Sequence, residues 1–205
     1  MVLIRNPQRL LEDKLLETGT ADEPARCIYL TTSGVELWNG PDKDGSMAGQ
    51  VPPFLPGGRK YHAFHSYTLS KTLNVLTAKE QQRRWAIKGS HAIALSLNPG
   101  LVGGITQFGG RTMLDEAGPL RGAFYGWPFA HAQKSTSQGA GTTIYAALSA
   151  QAVDEVRSGT FYFQNAAKSV PGMLSGHPEW FSEKLGIEVW DRTTSLLPGS
   201  FFGLW

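Results

Sequence analysis

The chain has 205 residues, 19 basic and 17 acidic side chains for a net charge of +2, and 41% apolar residues, a length and core-forming share that suit a single domain. Charged residues at 18%, with 24 glycines and 12 prolines, argue against a coiled coil, and the apolar content argues against wholesale disorder. A balance of +2 supplies no basic field for nucleic acid, and the single cysteine, Cys27, cannot close an internal disulfide.

No targeting or spanning segment is visible. The opening MVLIRNPQRLLE lacks the apolar core of a signal peptide. The most apolar later stretch, Ile93 to Ile105, is interrupted by Asn98-Pro99-Gly100 and falls short of the ~20 residues that a membrane helix needs. The expectation is a soluble, cytoplasmic chain.

In chain order, Gln8 to Glu17 puts Leu10, Leu11 and Leu15 on one helical face, with Leu16 at its margin and Gly19 as a stop. Arg26 to Thr32 (RCIYLTT), rich in β-branched and aromatic residues, reads as a short buried strand. Residues 34–60 hold six glycines and four prolines without a sustained period and read as a long surface loop. From His65 onward, Leu69, Leu73 and Leu76 recur at i, i+4 and i+7. Basic residues gather toward the end at Arg83 and Arg84, and Gly89 stands beyond it, so a helix is predicted there. His91 to Leu97 alternates as a strand and stops at the Asn98-Pro99-Gly100 turn, with His91 a structural residue at its start. After a Gly-rich stretch to Gly126, helices fit Gln138 to Leu148 and Pro178 to Leu185, with a short aromatic strand at Gly159 to Phe163 between them. The tail 197–205 is unplaced.

Alternating helices and strands imply parallel strands joined by crossovers, an α/β layered sheet. Three strands are visible where open sheets of this class usually hold about five or six. The sheet therefore reads as partial, with its first strands missing.

The densest chemical signal is Tyr67-Thr-Leu-Ser-Lys71. On a helix, i and i+4 lie one above the other, with Cβ atoms ~5–6 Å apart. An ammonium that close favours the phenolate and draws a tyrosine down from its ordinary ~10, which suits a general acid/base near neutral pH. The same spacing also arises on amphipathic helices with no catalytic role. Two strand ends frame it: Thr31-Thr32-Ser33 upstream and Asn98-Pro99-Gly100-Leu101-Val102 downstream. Ligands of open parallel sheets bind beyond such carboxyl ends.

The run Arg26-Cys-Ile-Tyr-Leu-Thr-Thr-Ser, then Tyr67-Thr-Leu-Ser-Lys71-Thr-Leu-Asn, then Leu97-Asn-Pro-Gly-Leu-Val resembles the second part of a short-chain dehydrogenase/reductase. It is most similar to the retinol-dehydrogenase-like and fungal members. Gly139-Ala-Gly-Thr-Thr-Ile-Tyr-Ala-Ala-Leu-Ser and Ser158-Gly-Thr-Phe-Tyr-Phe fit that family's last helix and strand. The resemblance runs over roughly residues 6 to 195 and implies a partial Rossmann-like, doubly wound fold that occupies 1–205 as a single incomplete domain. It also implies an NAD(P)-dependent oxidoreductase that interconverts a hydrophobic alcohol and its ketone or aldehyde, with NADP or NAD as cofactor. By the same resemblance Tyr67 exchanges the proton at the substrate oxygen, and Lys71 assists it and holds the nicotinamide ribose. Thr32, or Ser33 if the register slips by one, hydrogen-bonds the substrate carbonyl, and Pro99, Gly100 and Val102 line the nicotinamide end. Thr32 also reads as an ordinary strand-end hydroxyl.

The departures are specific. The family's Gly-rich pyrophosphate turn has no counterpart, and Gly139-Ala-Gly141 lacks both the third glycine and a preceding strand. The family's relay Asn falls near Leu3. Gly103-Gly104 stand where a Thr often follows the Pro-Gly turn. His62 and His65 lack a third metal ligand nearby. Phe124, Tyr125, Trp127 and Phe129 suit either a hydrophobic substrate cleft or a plain core patch. Two readings follow: an oxidoreductase centred on Tyr67 and Lys71, or a truncated or degenerate relative without cofactor binding, either a gene-model fragment or a pseudoenzyme acting through protein contacts. Strands left uncovered by the missing first part predict a chain that is marginal, forms a homodimer through its exposed helices, or aggregates.

Overall fold

The computed structural model describes residues 11–38, 40–47, 63–100, 102, 133–150, 161–163, 166–168 and 177–195. Helix α1 covers residues 11–18. Strand β1 (Arg26–Leu30) leads into a 3-10 turn at Ser33–Leu37. The long helix α2 (Ala63–Ile87) is followed by β2 (Ile93–Asn98), α3 (Thr136–Leu148) and the short strands β3 (Phe161–Phe163) and β4 (Ala166–Lys168). A second 3-10 turn (Pro178–Phe181) precedes α4 (Glu183–Ser195).

The strands form one sheet in the order β1-β2-β3-β4. β1, β2 and β3 run parallel, in a register that pairs Arg26 with Ile93 and Leu30 with Leu97, and β4 turns back antiparallel to β3. The layered α/β arrangement follows the sequence pattern, but β4 does not. Ala166–Lys168 carries no β-branched or aromatic residue, and pairing with β3 alone makes it a strand.

β2 is buried at every position rather than alternating, because helices cover both faces of the sheet. Ile93, Leu95 and Leu97 face α3 through Ala146, with Ile28 and Tyr145 alongside. Ala92 and Ala94 face Trp85 at the far end of α2, together with Cys27, Leu15 and Leu16. On α1 the core-facing pair is thus Leu15 and Leu16, while Leu11, expected on the apolar face, is 56% exposed. His91 lies outside the strand and is exposed rather than structural.

The leucine stripe that marks α2 does not face the sheet. Leu69, Leu73 and Leu76 pack outward against Val35, Trp38, Met47, Phe181, Leu185 and Val189, the layer built by the two 3-10 turns and α4. The sheet side of α2 is instead largely polar. Gln81 accepts from the Tyr29 hydroxyl at 2.6 Å, the Gln82 carbonyl oxygen accepts from the Ala94 amide at 2.7 Å, and Asn74 donates to the Leu30 carbonyl at 2.9 Å. α2 is therefore an interior helix between two layers, and its amide side chains satisfy polar groups of β1 and β2.

Two expectations change with this layer. Trp38 and Met47, inside the stretch expected as a surface loop, are buried in the core, while Lys43 and Asp44 between them are exposed. The helix expected at Pro178–Leu185 is two elements, a 3-10 turn and then α4, which runs ten residues further. Along the α2–α4 seam the buried Glu80 carboxylate takes hydrogen bonds from Arg83 at 2.7 and 2.8 Å and from Arg84 at 2.6 Å. α2 is thus covered along this seam by α4. Among the described residues no helix is long and apolar enough to cross a membrane.

Candidate active site

The site residues meet where β1 and β2 end and α2 begins. The Thr31 amide donates to the Leu97 carbonyl at 2.8 Å, which sets the two strand ends side by side. The Thr31 hydroxyl donates to the Lys71 backbone carbonyl at 3.1 Å and fixes the height of α2 above β1. Thr32, half-buried and extended at φ −149°, caps the first 3-10 turn, its Oγ1 accepting from the Gly34 amide at 3.2 Å. Its own O–H has no acceptor among the described residues, and no hydrogen bond there joins it to Tyr67. Ser33 opens the 3-10 turn, and its side chain lies outside the described set.

Tyr67 and Lys71 lie on the same face of α2, both half-buried, with the Lys71 Nζ 6.0 Å from the centre of the Tyr67 ring. Burial pushes the Lys71 ammonium below the ordinary lysine value. Its protein contact is long: Nζ donates to the Leu30 carbonyl at 3.4 Å, an oxygen that also takes the 2.9 Å bond from Asn74. Thr31, read from the sequence only as part of the strand end that frames the pair, and Asn74, read only as part of the helix run, both contact this constellation. The available signal for Asn74 was its place at i+7 from Tyr67, which continues the Tyr67–Lys71 stripe by one more helical turn.

Beyond β2, Asn98 Oδ1 accepts from the Gly100 amide at 3.0 Å and closes the turn around Pro99, with Gly100 at φ +88°, a conformation that favours glycine. The Gly100 amide needs an acceptor, which fixes the orientation of the Asn98 amide and sends Nδ2 the other way. That nitrogen is buried with no partner among the described residues. Val102 forms a parallel bridge with Lys134, just before the Ser135 capping box that starts α3. Gly139 in the first turns of α3 lies so close to Val102 that a Cβ there would overlap the valine methyls. Gly139→Ala is expected to cost about 1–3 kcal/mol, read as a lower urea midpoint at unchanged slope.

Lys71 thus meets the end of β1 at Leu30 and Thr31, with Tyr67 one turn earlier on α2, Thr32 next along the chain from Thr31, and Pro99-Gly100 after the neighbouring strand. The arrangement can hold a phenol beside a partly desolvated ammonium and can offer hydroxyl and amide donors to a ligand oxygen. Cys27 takes no part, since burial pushes its thiol up to about 11 and keeps it protonated. His62 and the aromatic group Phe124, Tyr125, Trp127 and Phe129 lie outside the described residues. Among those described, no group of three or more His, Cys, Asp or Glu side chains is placed to hold a metal ion.

Comparison with known proteins gives one distant likeness of the same kind. Over 143 residues the chain is 28% identical to Oxidoreductase calI of Penicillium decumbens. The match covers 68% of this chain and 37% of that protein, so the chain spans little more than a third of the relative's length. No family model matches, and no solved structure matches.

Proposed function

We propose that the chain carries the acid/base half of an NAD(P)-dependent oxidoreductase of the short-chain dehydrogenase/reductase type, acting on a hydrophobic alcohol and its ketone or aldehyde. The observation that carries this reading is the adjacency of Tyr67 and Lys71 on the first turns of a helix standing over the carboxyl ends of two parallel strands. Distant similarity to a protein named as an oxidoreductase supports it.

In this reading the Tyr67 phenol gives a proton to, or takes one from, the substrate oxygen. Lys71 stabilises the phenolate electrostatically from the next turn of the helix. Thr32, with Ser33 beside it, donates a hydrogen bond to the substrate carbonyl and polarises it. Lys71 keeps donors for ribose hydroxyls because its one hydrogen bond among the described residues is long, and the buried Nδ2 of Asn98, without a partner among those residues, offers a further donor next to the Pro99-Gly100 turn. These groups fit the nicotinamide end of NAD or NADP, with Pro99, Gly100 and Val102 as its lining. When bound, the nicotinamide would supply or accept the hydride. The first described residues hold no glycine-rich turn for the pyrophosphate, so no role toward it is assigned.

Titration of the chain with NADH and with NADPH, followed by calorimetry, tests the reading. Micromolar binding of at least one is expected, with Lys71→Gln weakening it roughly tenfold, equivalent to ~1.4 kcal/mol. Heat-silent titrations with both dinucleotides would instead favour a relative that folds without binding cofactor.

A further inference from the structure

The Leu30 carbonyl is shared by two donors of unequal character. The neutral amide of Asn74 holds it at 2.9 Å, while the Lys71 ammonium stands off at 3.4 Å. Charge-assisted N–H···O bonds ordinarily close to ~2.7–2.9 Å, so an ammonium free to settle on this oxygen would be the nearer donor. Asn74 is buried at 5% exposure and rigidly placed one turn beyond Lys71, whereas the lysine stem is flexible and half-buried. Thr31 clamps the Lys71 backbone from the same strand end, so the helix cannot shift to relieve the competition.

We propose that Asn74 is a positioning residue for Lys71: by taking the shorter bond to the Leu30 carbonyl it holds the ammonium to a long contact with that oxygen and leaves it available to Tyr67 and to a ligand. This rests on the reading of Tyr67 and Lys71 given above, but its physical content is the placement of one ammonium and does not require a dinucleotide. Burial already disfavours the Lys71 charge. Without Asn74 the ammonium would gain the carbonyl as a full hydrogen-bond partner and lean away from the phenol ring. Tyr67, Lys71 and Asn74 at i, i+4 and i+7 therefore act as one stripe, in which the third residue sets the position of the second.

The test follows the side-chain nitrogen of Lys71 by NMR in lysine-labelled protein, the signal being assigned by its loss in Lys71→Gln. In Asn74→Ala the Lys71 titration is expected to move up by about 0.5–1 unit as the carbonyl bond forms. Asn74→Asp, which cannot donate to Leu30 and pairs directly with the ammonium, should move it further. Asn74→Gln, which keeps an amide donor, should return it toward the wild-type position. If Asn74→Ala melts without cooperativity, Asn74→Ser, with a hydroxyl too short to reach the carbonyl, replaces it. A cooperatively folded Ala or Ser variant whose Lys71 titrates within ~0.2 unit of wild type would overturn the proposal. Failure of wild type to bind NADH or NADPH would sink the functional reading without touching this result. If turnover is found, Asn74→Ala should lower kcat several-fold with little change in KM, and an equal loss in Asn74→Gln would overturn the positioning role.

Discussion

Tyr67→Phe is expected to lower kcat/KM by a factor of about 10²–10⁴ against any alcohol or carbonyl compound the wild type turns over, the range that a positioned proton donor contributes. The substitution removes one oxygen and keeps the ring, so packing at the start of α2 is undisturbed. Tyr67 is half-buried and its neighbours Thr68 and Ser70 bond to helix carbonyls rather than to the phenol. Dinucleotide affinity should therefore change by no more than about twofold, well under 1.4 kcal/mol. Undiminished turnover in the variant, with intact binding, would remove Tyr67 from the chemistry and leave Thr32 and Lys71 as a site without an acid.

Trp85→Ala is expected to cost about 3–5 kcal/mol, the range for removing a fully buried large aromatic. The indole is 0% exposed and is enclosed by Ala92, Ala94, Cys27, Ala25, Leu15 and Leu16, small or partly buried groups with little reach to fill the space. Its Nε1 donates to Glu12 Oε1 at 3.1 Å, but Glu12 also pairs with Lys88 at 3.3 Å and keeps that partner, so cavity formation dominates. Trp85→Phe, which retains most of the ring volume, should cost about 1–2 kcal/mol. Urea unfolding monitored by far-UV circular dichroism reads both. α2 spans 25 residues, and Trp85 lies 18 positions from Tyr67, about 27 Å along the axis. Trp85→Phe should therefore keep wild-type dinucleotide affinity, and a matching loss of affinity and stability would show that the two ends of α2 are not independent.

The central strands and the helices α1, α2 and α3 were legible because each carries a local signal. RCIYL is β-branched and aromatic, α2 repeats leucine at helical spacing, and the Asn98-Pro99-Gly100 turn ends β2 where proline and glycine require it. The Tyr67–Lys71 pair was legible for the same reason, since four residues on a helix are one turn. The partners of Thr31 and Asn74 were not. One bonds a helix carbonyl 40 residues away, the other a strand carbonyl 44 residues away, and no local pattern encodes such a partner. The buried Trp38 and Met47 escaped notice because they stand among glycines and prolines with no period. β4 escaped because its three residues have no intrinsic preference for a strand.

The sequence by itself determined that this is an α/β chain with a tyrosine and a lysine one helical turn apart near two strand ends, because periodicity and turn chemistry are local properties. Only the tertiary structure decided which way α2 faces. Its leucines turn from the sheet toward Trp38, Phe181 and α4, and its amides turn toward β1 and β2. Hydrophobic spacing specifies that a stripe is buried, but not against what. Here a second helical layer takes the leucines, so the polar stripe that carries Tyr67, Lys71 and Asn74 lies against the strand ends.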